Sequence, residues 1–384
     1  MKTQSGVSLT FLEATSIIVG HGVGAGILSV PYLASRNSWT DLIWIVAVVY
    51  GMNLLLHYMI AELSYNNGGA QFIKCFENEL FTGRLKWILT WLAFGLLGFS
   101  VIVNVSGFIT GAAAVLSSWL GIPRLAAMLL FYAAAAAVVF FGLKLVGICE
   151  KIAVCSMAAV IGVLVVATFL REVHAPAMGF ISLNNVLALY SMIAFSLSAV
   201  MSVPQVVKGL GGNTRKIRGS IAAGTGINLL LVVLITLITL LGAGGNVSED
   251  GALVDLSRQL GGWVSIVGYI FSLLALATSF WVNTLNLRDI VHEQTPLGVR
   301  SSWAIASLPC LGIALLGITS CVGFTRMAGI VQVLTGVGVI IAYNRSRKRN
   351  HASPICGRLG TLPFQILVVA GALLSTIGSL LKII

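Results

Sequence analysis

The sequence predicts an all-α protein that crosses a membrane eleven times, as two inverted five-helix repeats followed by an eleventh helix. Three observations lead to this prediction. The 384 residues are 58% hydrophobic and only 9% charged, whereas a soluble domain carries about 25% charged residues. Apolar segments long enough to cross a bilayer recur along the whole chain. Two of them, the first and the sixth, are interrupted in their middle by small and polar residues.

The spans follow from length and hydrophobicity. A spanning helix needs about 20 mostly apolar residues, and polar stretches such as 211–219 and 343–354 separate the candidates. The third candidate is long enough to cross at a strong tilt. The predicted spans are residues 9–35, 41–65, 85–119, 124–142, 145–170, 184–208, 217–242, 261–287, 302–319, 322–343 and 361–381.

The basic residues predict the orientation. An odd number of spans places the two termini on opposite sides. With a cytoplasmic N-terminus, 17 of the 23 lysines and arginines lie in inner loops or at inner helix ends, as the positive-inside rule favours. We therefore expect an integral protein of the cytoplasmic (plasma or inner) membrane with an external C-terminus. The same distribution accounts for the net charge of +11, so the lipid bilayer and not nucleic acid is the expected partner.

The first segment reads IVGHGVGAGILSVP over residues 18–31, with glycine at every second position from 20 to 26. A glycine inside a helix costs about 1 kcal/mol relative to alanine. Close helix packing through small residues is one explanation, and unwinding at mid-membrane is the other. Residues 9–35 would measure roughly 40 Å as a helix against a hydrocarbon core of about 30 Å, so several residues can leave the helix. A phosphate-binding loop is rejected, because GxGxxG is not matched.

Unwound backbone in a membrane is tolerated where it is buried in protein or lines a cavity. Its N–H groups can then bind a carboxylate, and its carbonyls can bind a cation or an ammonium. A zwitterionic amino acid presents both charges. We therefore predict that the backbone of Val23, Gly24, Ala25 and Gly26 holds the substrate carboxylate.

The sixth segment repeats this irregularity. Ser196, Ser198, Ala199 and Ser202 interrupt its apolar run, and Pro204 disturbs the preceding turn. Interrupted segments at matching places in two halves indicate the central site of a transporter. The predicted organisation is a first repeat over 1–171, an inverted second repeat over 182–343 and an additional helix over 361–381.

The motif GHGVGAGILSVP resembles the first helix of amino acid transporters with the LeuT fold, of the amino acid–polyamine–organocation superfamily. Eleven helices, the GAGIL-x-x-P ending and GLKLVG at 142–147 are most similar to the amino acid/auxin permeases, which are related to sodium-coupled neutral amino acid transporters, and to the hydroxy/aromatic amino acid permeases. The resemblance implies secondary active transport by alternating access, and no enzymatic activity.

Two further motifs carry the resemblance. FSLS at 195–198 is similar to an aromatic-hydroxyl motif in which the ring covers the substrate, which implies Phe195 as the lid and Ser196 as a pocket hydroxyl, with Ser198 beside them. Ordinary helix packing is the alternative for Phe195. In helix 8, Ala275 begins an A-x-x-T-S pattern.

In sodium-dependent members, the A-x-x-T-S pattern supplies a carbonyl and two hydroxyls to one Na⁺, which would be Thr278 and Ser279 with the Ala275 carbonyl. The carbonyls of Gly20 and Val23 complete that site. Na⁺ is therefore the expected coupling ion, and no other cofactor is expected. The hydroxyls could instead bond back to their own helix.

Four other polar residues are candidates for the site. His21 lies within the first break and could carry a proton or satisfy local backbone. The resemblance implies that Glu62 bonds to exposed backbone of helix 6, and a snorkelling position is the alternative. Asn104 and Asn283 could face the pocket or bridge helices.

The remaining acidic residues lie elsewhere. Glu13 and Glu150 are expected near helix ends, at the membrane interface, so no charged side chain is predicted at the centre. A neutral L-amino acid is therefore the expected substrate, without an obligatory protein partner. A proton-coupled symporter that uses His21, and an uncoupled exchanger or facilitator, are the alternatives on the same fold.

Overall fold

The computed structural model describes residues 8–23, 26–171, 173, 182–243, 247–248, 252–317, 321–350 and 354–381, without the side chains of 252 and 321–335. These residues form α-helices joined by short turns. The helices are α1 (Phe11–Gly22), α2 (Gly26–Ser35), α3 (Trp39–Asn66), α4 (Phe72–Glu79), α5 (Lys86–Leu120), α6 (Arg124–Phe140), α7 (Leu143–Phe169), α8 (Leu183–Leu197), α9 (Val203–Gly209), α10 (Thr214–Gly242), α11 (Ala252–Leu260), α12 (Trp263–Gln294), α13 (Val299–Leu315), α14 (Cys321–Asn350) and α15 (Leu362–Leu380).

Each predicted span corresponds to a helix or to a pair of helices. In the described residues, α3, α5, α7, α10, α12, α15 and the stretch Leu183–Gly209 are each long and apolar enough to cross a membrane. The pair α1 and α2, bent by 54°, forms a further candidate span, and α6 and α13 are shorter apolar helices. The short helices α4 and α11 were not predicted. The chain is an all-α polytopic membrane protein, as the sequence indicated.

The first span is broken where the glycines predicted it. Thr10 caps α1 through a reciprocal capping box with Glu13, and α1 ends at Gly22. Val23 then leaves the helix with φ −75° and ψ 65°, and α2 begins at Gly26.

The sixth span is broken as well. Helix α8 ends at Leu197, and Ser198 is extended with φ −74° and ψ 124°. A 3₁₀ turn over Val200–Ser202 follows, and α9 begins with Pro204 in its first turn. Proline is tolerated there because the first amides of a helix have no partner within it.

The broken spans lie inside the bundle. In the apolar stretch of Leu183–Gly209, 61% of the residues are buried, against 22% for α15. Helix α1 packs on α7, α10 and α12, and α5 packs on α12 and α14. The two breaks therefore lie away from lipid, as exposed backbone requires.

One predicted boundary is wrong. The polar stretch from 343 was expected to be a loop, but α14 continues to Asn350. Basic side chains stabilise the C-terminal end of a helix, and here they also have partners on α4. Arg345 donates to the carbonyls of Glu79 and Leu80, and Arg349 forms an ion pair with the Glu79 carboxylate at 2.6 Å.

Candidate functional site

A cavity of about 190 Å³ lies at the two breaks. It continues between α3, α8, α14 and α15, and most of its wall is apolar. Aspartate, glutamate, lysine and arginine are absent from the wall formed by the described residues. Six of the residues predicted for the site line the cavity, namely His21, Asn104, Phe195, Ser198, Ser279 and Asn283.

The glycines of the first break allow close approach of neighbouring helices. A Cβ placed on Gly22 would overlap the side-chain amide of Asn228 on α10. A Cβ on Gly26 would lie 2.7 Å from Ser196 Oγ and 2.8 Å from Phe195 Cδ1. Both explanations of these glycines therefore apply: they permit close helix packing, and the helix is interrupted among them.

The predicted carboxylate-binding segment is described at its two ends. Val23 is fully buried, and its N–H donates to the Val19 carbonyl at 2.9 Å. Gly26 opens α2 beside Phe195. Gly24 and Ala25 lie outside the described residues.

The three predicted residues of the sixth span have different positions. Phe195 and Ser198 line the cavity, which agrees with a ring beside a bound substrate. Ser196 is fully buried behind the wall, and its hydroxyl donates to the Met192 carbonyl of its own helix at 2.9 Å. The structure therefore does not place Ser196 on the cavity surface.

Asn104 and Asn283 both line the cavity. Asn283 Nδ2 donates to the Ser279 carbonyl at 2.8 Å. Asn104 Oδ1 is buried and has no hydrogen-bond donor among the described residues. Because a buried acceptor without a donor is costly, Asn104 is suited to contact a ligand that donates hydrogen bonds.

Two of the predicted cation ligands, Gly20 of α1 and Thr278 of α12, lie close together, and the complete predicted ligand set stays a prediction. A Cβ on Gly20 would lie 3.1 Å from Thr278 Cβ. Thr278 Oγ1 donates to the Ala275 carbonyl at 3.0 Å, and Ser279 Oγ is buried without a partner among the described residues. A hydroxyl that donates to its own helix still has lone pairs, so the back-bond of Thr278 is compatible with cation binding.

His21 connects the two breaks. Its Nδ1 lies 2.9 Å from Ser202 Oγ, in the 3₁₀ turn of the sixth span. The ring is partly buried and forms part of the cavity wall. The partner is therefore a side chain of the other break and not the local backbone that was one expectation.

Glu62 of α3 binds α14 and the connection that follows it. Its fully buried carboxylate accepts hydrogen bonds from Tyr343 Oη at 3.0 Å and from the backbone N–H groups of Ile355 and Cys356 at 3.0 and 2.9 Å. These bonds hold the connection that follows α14, and the predicted bond between Glu62 and the sixth span stays a prediction. The snorkelling alternative is wrong, since Glu62 is 0% exposed.

A histidine that sequence reasoning missed supports the sixth-span break. His57 of α3 is fully buried, and its Nε2 accepts the N–H of Ala199 at 2.9 Å. Its Nδ1 lies 3.3 Å from Thr225 Oγ1. Because Nε2 accepts, the ring proton is on Nδ1. A histidine inside an apolar span is a functional signal by default and could have identified this residue.

An asparagine was missed for the same break. Asn286 Nδ2 donates to the Met201 carbonyl at 3.0 Å and to Gln71 Oε1 at 2.7 Å. His57 of α3 thus binds an N–H of the unwound segment, and Asn286 of α12 binds one of its carbonyls.

Glu150, expected near a helix end, is a buried carboxylate. It lies two turns into α7 and is 0% exposed. A Cβ on Gly20 would overlap its Oε2. A buried carboxylate therefore lies beside Gly20 of α1, one turn before the first break.

Solved structures of two transporters share this architecture. The complex of MhsT with L-phenylalanine aligns with a TM-score of 0.69 at 13% identity, covering 97% of this chain and 99% of MhsT. A closed conformation of Mhp1, a nucleobase-cation-symport-1 family transporter with bromovinylhydantoin bound, aligns with a TM-score of 0.64 at 13% identity, covering 97% and 92% of the two chains. These likenesses establish the LeuT fold, with its inverted repeats and its broken first and sixth spans.

A search of curated proteins gave no match. A family model described as the tryptophan/tyrosine permease family matches residues 8–377. The model covers almost the whole described bundle, including both breaks and the cavity between them. The chain is therefore a secondary transporter that belongs to the tryptophan/tyrosine permease family.

Proposed function

We propose that this transporter imports neutral L-amino acids, with aromatic ones preferred, by alternating access and in symport with one Na⁺. The observation that carries the proposal is the cavity at the two breaks, whose described wall has polar groups but no aspartate, glutamate, lysine or arginine. A substrate with a charged side chain would be left there without a partner, which is costly in a low-dielectric site. The family description and the phenylalanine bound to MhsT agree with this substrate class.

The cavity offers different surfaces to the two parts of an amino acid. The break after α1 offers backbone at the end of a helix, where N–H and carbonyl groups lack helical partners. Asn104 Oδ1 offers an acceptor. Val101, Phe108 and Met201 form apolar wall, which suits an aromatic or aliphatic side chain.

Sodium coupling is supported by the contact between Gly20 and Thr278 and by the unpartnered hydroxyl of Ser279. Proton coupling through His21 is the second candidate, since this histidine joins the two breaks within the cavity wall. An uncoupled exchanger would use the same substrate cavity. The inner-membrane location with a cytoplasmic N-terminus completes the proposal and is supported by the distribution of basic residues.

A thermal-shift screen of the twenty amino acids tests the substrate class. The purified protein is melted with each amino acid in sodium or in potassium buffer. Tryptophan, tyrosine or phenylalanine is expected to raise the melting temperature, because a ligand that binds the native state stabilises it, and the shift is expected to be larger in sodium. Asn104→Ala should reduce the shift, while the lipid-facing control Leu129→Ala, whose parent side chain is 45% exposed, should keep it. Stabilisation by lysine or glutamate alone would refute the proposal.

A further inference from the structure

One buried carboxylate lies outside the wall of the transport cavity. Glu150 is fully buried in α7, and neither of its oxygens has a hydrogen-bond donor among the described residues. An ionised carboxylate buried without a partner costs several kcal/mol. Such a group is retained in a bilayer interior where a positive charge joins it, and intramembrane carboxylates mark ion and proton pathways.

The carboxylate lies at the candidate cation site. A Cβ placed on Gly20 would overlap Glu150 Oε2, and would lie 2.8 Å from Glu150 Cδ and 3.1 Å from Thr278 Cβ. The backbone of α1, the side chain of Thr278 on α12 and the carboxylate of α7 therefore meet at one point. Ser279 Oγ, the neighbouring hydroxyl, is also buried without a partner among the described residues. Three helices therefore meet beside Gly20, where the carboxylate of Glu150 and the side chain of Thr278 both approach the backbone of α1.

Three charged groups on the surrounding helices are paired with other partners than Glu150. Glu13 of α1 pairs with Lys144 at 2.7 Å, and Asp289 of α12 pairs with Arg288 at 2.6 Å. The titratable and basic side chains described on the helices packed against α7 are Glu13 and His21 of α1, Arg124 and Tyr132 of α6, Arg215, Lys216 and Arg218 of α10, and Tyr269, Arg288, Asp289, His292 and Glu293 of α12.

None of these groups donates a hydrogen bond to Glu150. On α7 itself, Lys144 is bound to Glu13, and Lys151 is partly exposed. The structure therefore offers Glu150 no resident cation among its described residues.

We propose that Glu150 is the charged ligand of the coupling cation, which binds between Gly20, Thr278, Ser279 and the Glu150 carboxylate. This inference rests on the proposed transport function. The cation brings one positive charge, so the loaded site is neutral. Na⁺ would be held by the carboxylate together with the hydroxyls and carbonyls. A proton would add to one carboxylate oxygen on one side of the membrane and leave the same oxygen on the other.

Glu150→Gln tests the proposal, because it keeps the shape of the side chain and removes its charge. The parent and the variant are reconstituted in proteoliposomes, and uptake of radiolabelled tryptophan is measured under an inward Na⁺ gradient and, separately, an inward proton gradient. The gradient that drives tryptophan uptake by the parent protein identifies the coupling cation. Exchange of external label for internal tryptophan, without any gradient, is measured in the same vesicles.

The expected result is that Glu150→Gln loses gradient-driven accumulation and keeps exchange. Glu150→Asp, which keeps the charge, should recover part of the accumulation, and the neighbouring control Lys151→Gln should match the parent. Accumulation by Glu150→Gln equal to that of the parent, with the same cation dependence, would overturn the proposal. Loss of both accumulation and exchange by a folded variant would also overturn it, since the carboxylate would then serve the substrate site. Absence of tryptophan exchange by the parent would instead contradict the proposed function itself.

Discussion

His57 on α3 accepts the backbone N–H of Ala199 at 2.9 Å, and Ala199 has φ −127° and ψ 29° in the break of the sixth span. Both residues are fully buried. The imidazole therefore replaces the helical carbonyl that this amide would otherwise bind. A membrane helix can be unwound only when its freed groups find such partners.

Removal of this acceptor should destabilise the break. His57→Ala leaves the amide of Ala199 buried without a partner, which costs about 1–3 kcal/mol. The melting temperature of the purified protein and tryptophan exchange should both fall. Thr225→Val, which removes only the 3.3 Å contact to His57 Nδ1, should have a smaller effect. Equal melting temperatures of His57→Ala and the parent would contradict this role of His57.

Gly26→Ala should impair transport more than an alanine elsewhere. The added Cβ would meet Ser196 Oγ and Phe195 Cδ1 at 2.7 and 2.8 Å, and overpacking costs about 1–3 kcal/mol. Gly51→Ala in α3 is the matched control, because no heavy atom lies within 4 Å of its new Cβ. Exchange rates and melting temperatures of the two variants are compared. If both variants behave alike, close approach at Gly26 is not required.

Asp289 should contribute more to the stability of the folded protein than Lys208, its more exposed partner. Its carboxylate binds Arg288 at 2.6 Å and Lys208 at 3.2 Å, and the side chains of Arg288 and Lys208 are 8% and 38% exposed. Asp289→Ala leaves the buried guanidinium without its countercharge, which costs about 3–5 kcal/mol. Lys208→Gln removes only the outer pair, worth less than about 1 kcal/mol. Thermal unfolding of both variants checks this order, and a larger loss from Lys208→Gln would reverse it.

Thr278→Val should selectively weaken the binding of the coupling cation. Loss of one hydroxyl from the site is expected to cost about 1–3 kcal/mol, which is about 5- to 150-fold in apparent sodium affinity. Thr236→Val is the control, because Thr236 is also buried and also donates to its own helix, at 2.7 Å, on α10. The measurement is tryptophan uptake as a function of sodium concentration. Unchanged sodium affinity in Thr278→Val would remove Thr278 from the cation site.

The fold could be predicted because the bilayer imposes a simple rule on the sequence. Spans are long apolar runs, so their order and approximate ends were visible. The breaks could be predicted too, because glycines from Gly20 to Gly26 and the proline at Pro204 are unfavourable inside a helix. The ends of the two repeats, at 1–171 and 182–343, stay a prediction.

The site was less accessible to sequence reasoning, because its partners come from distant helices. The residues within the broken motifs, such as Phe195 and Ser198, were found by position. His57 and Asn286 were missed, since their role depends on which backbone groups the packing brings to them. The burial of Glu150 was missed as well, because it depends on the packing of α1 and α12 against α7.

Tryptophan accumulation in proteoliposomes, with unlabelled amino acids as competitors, tests the central claim most directly. The parent protein is given an inward sodium gradient, an inward proton gradient or neither. We expect accumulation under the sodium gradient, with competition by tyrosine, phenylalanine and leucine but not by lysine or glutamate. Competition by lysine or glutamate, with none from the neutral amino acids, would contradict a neutral substrate at the two breaks. Accumulation driven by the proton gradient and indifferent to sodium would contradict sodium coupling.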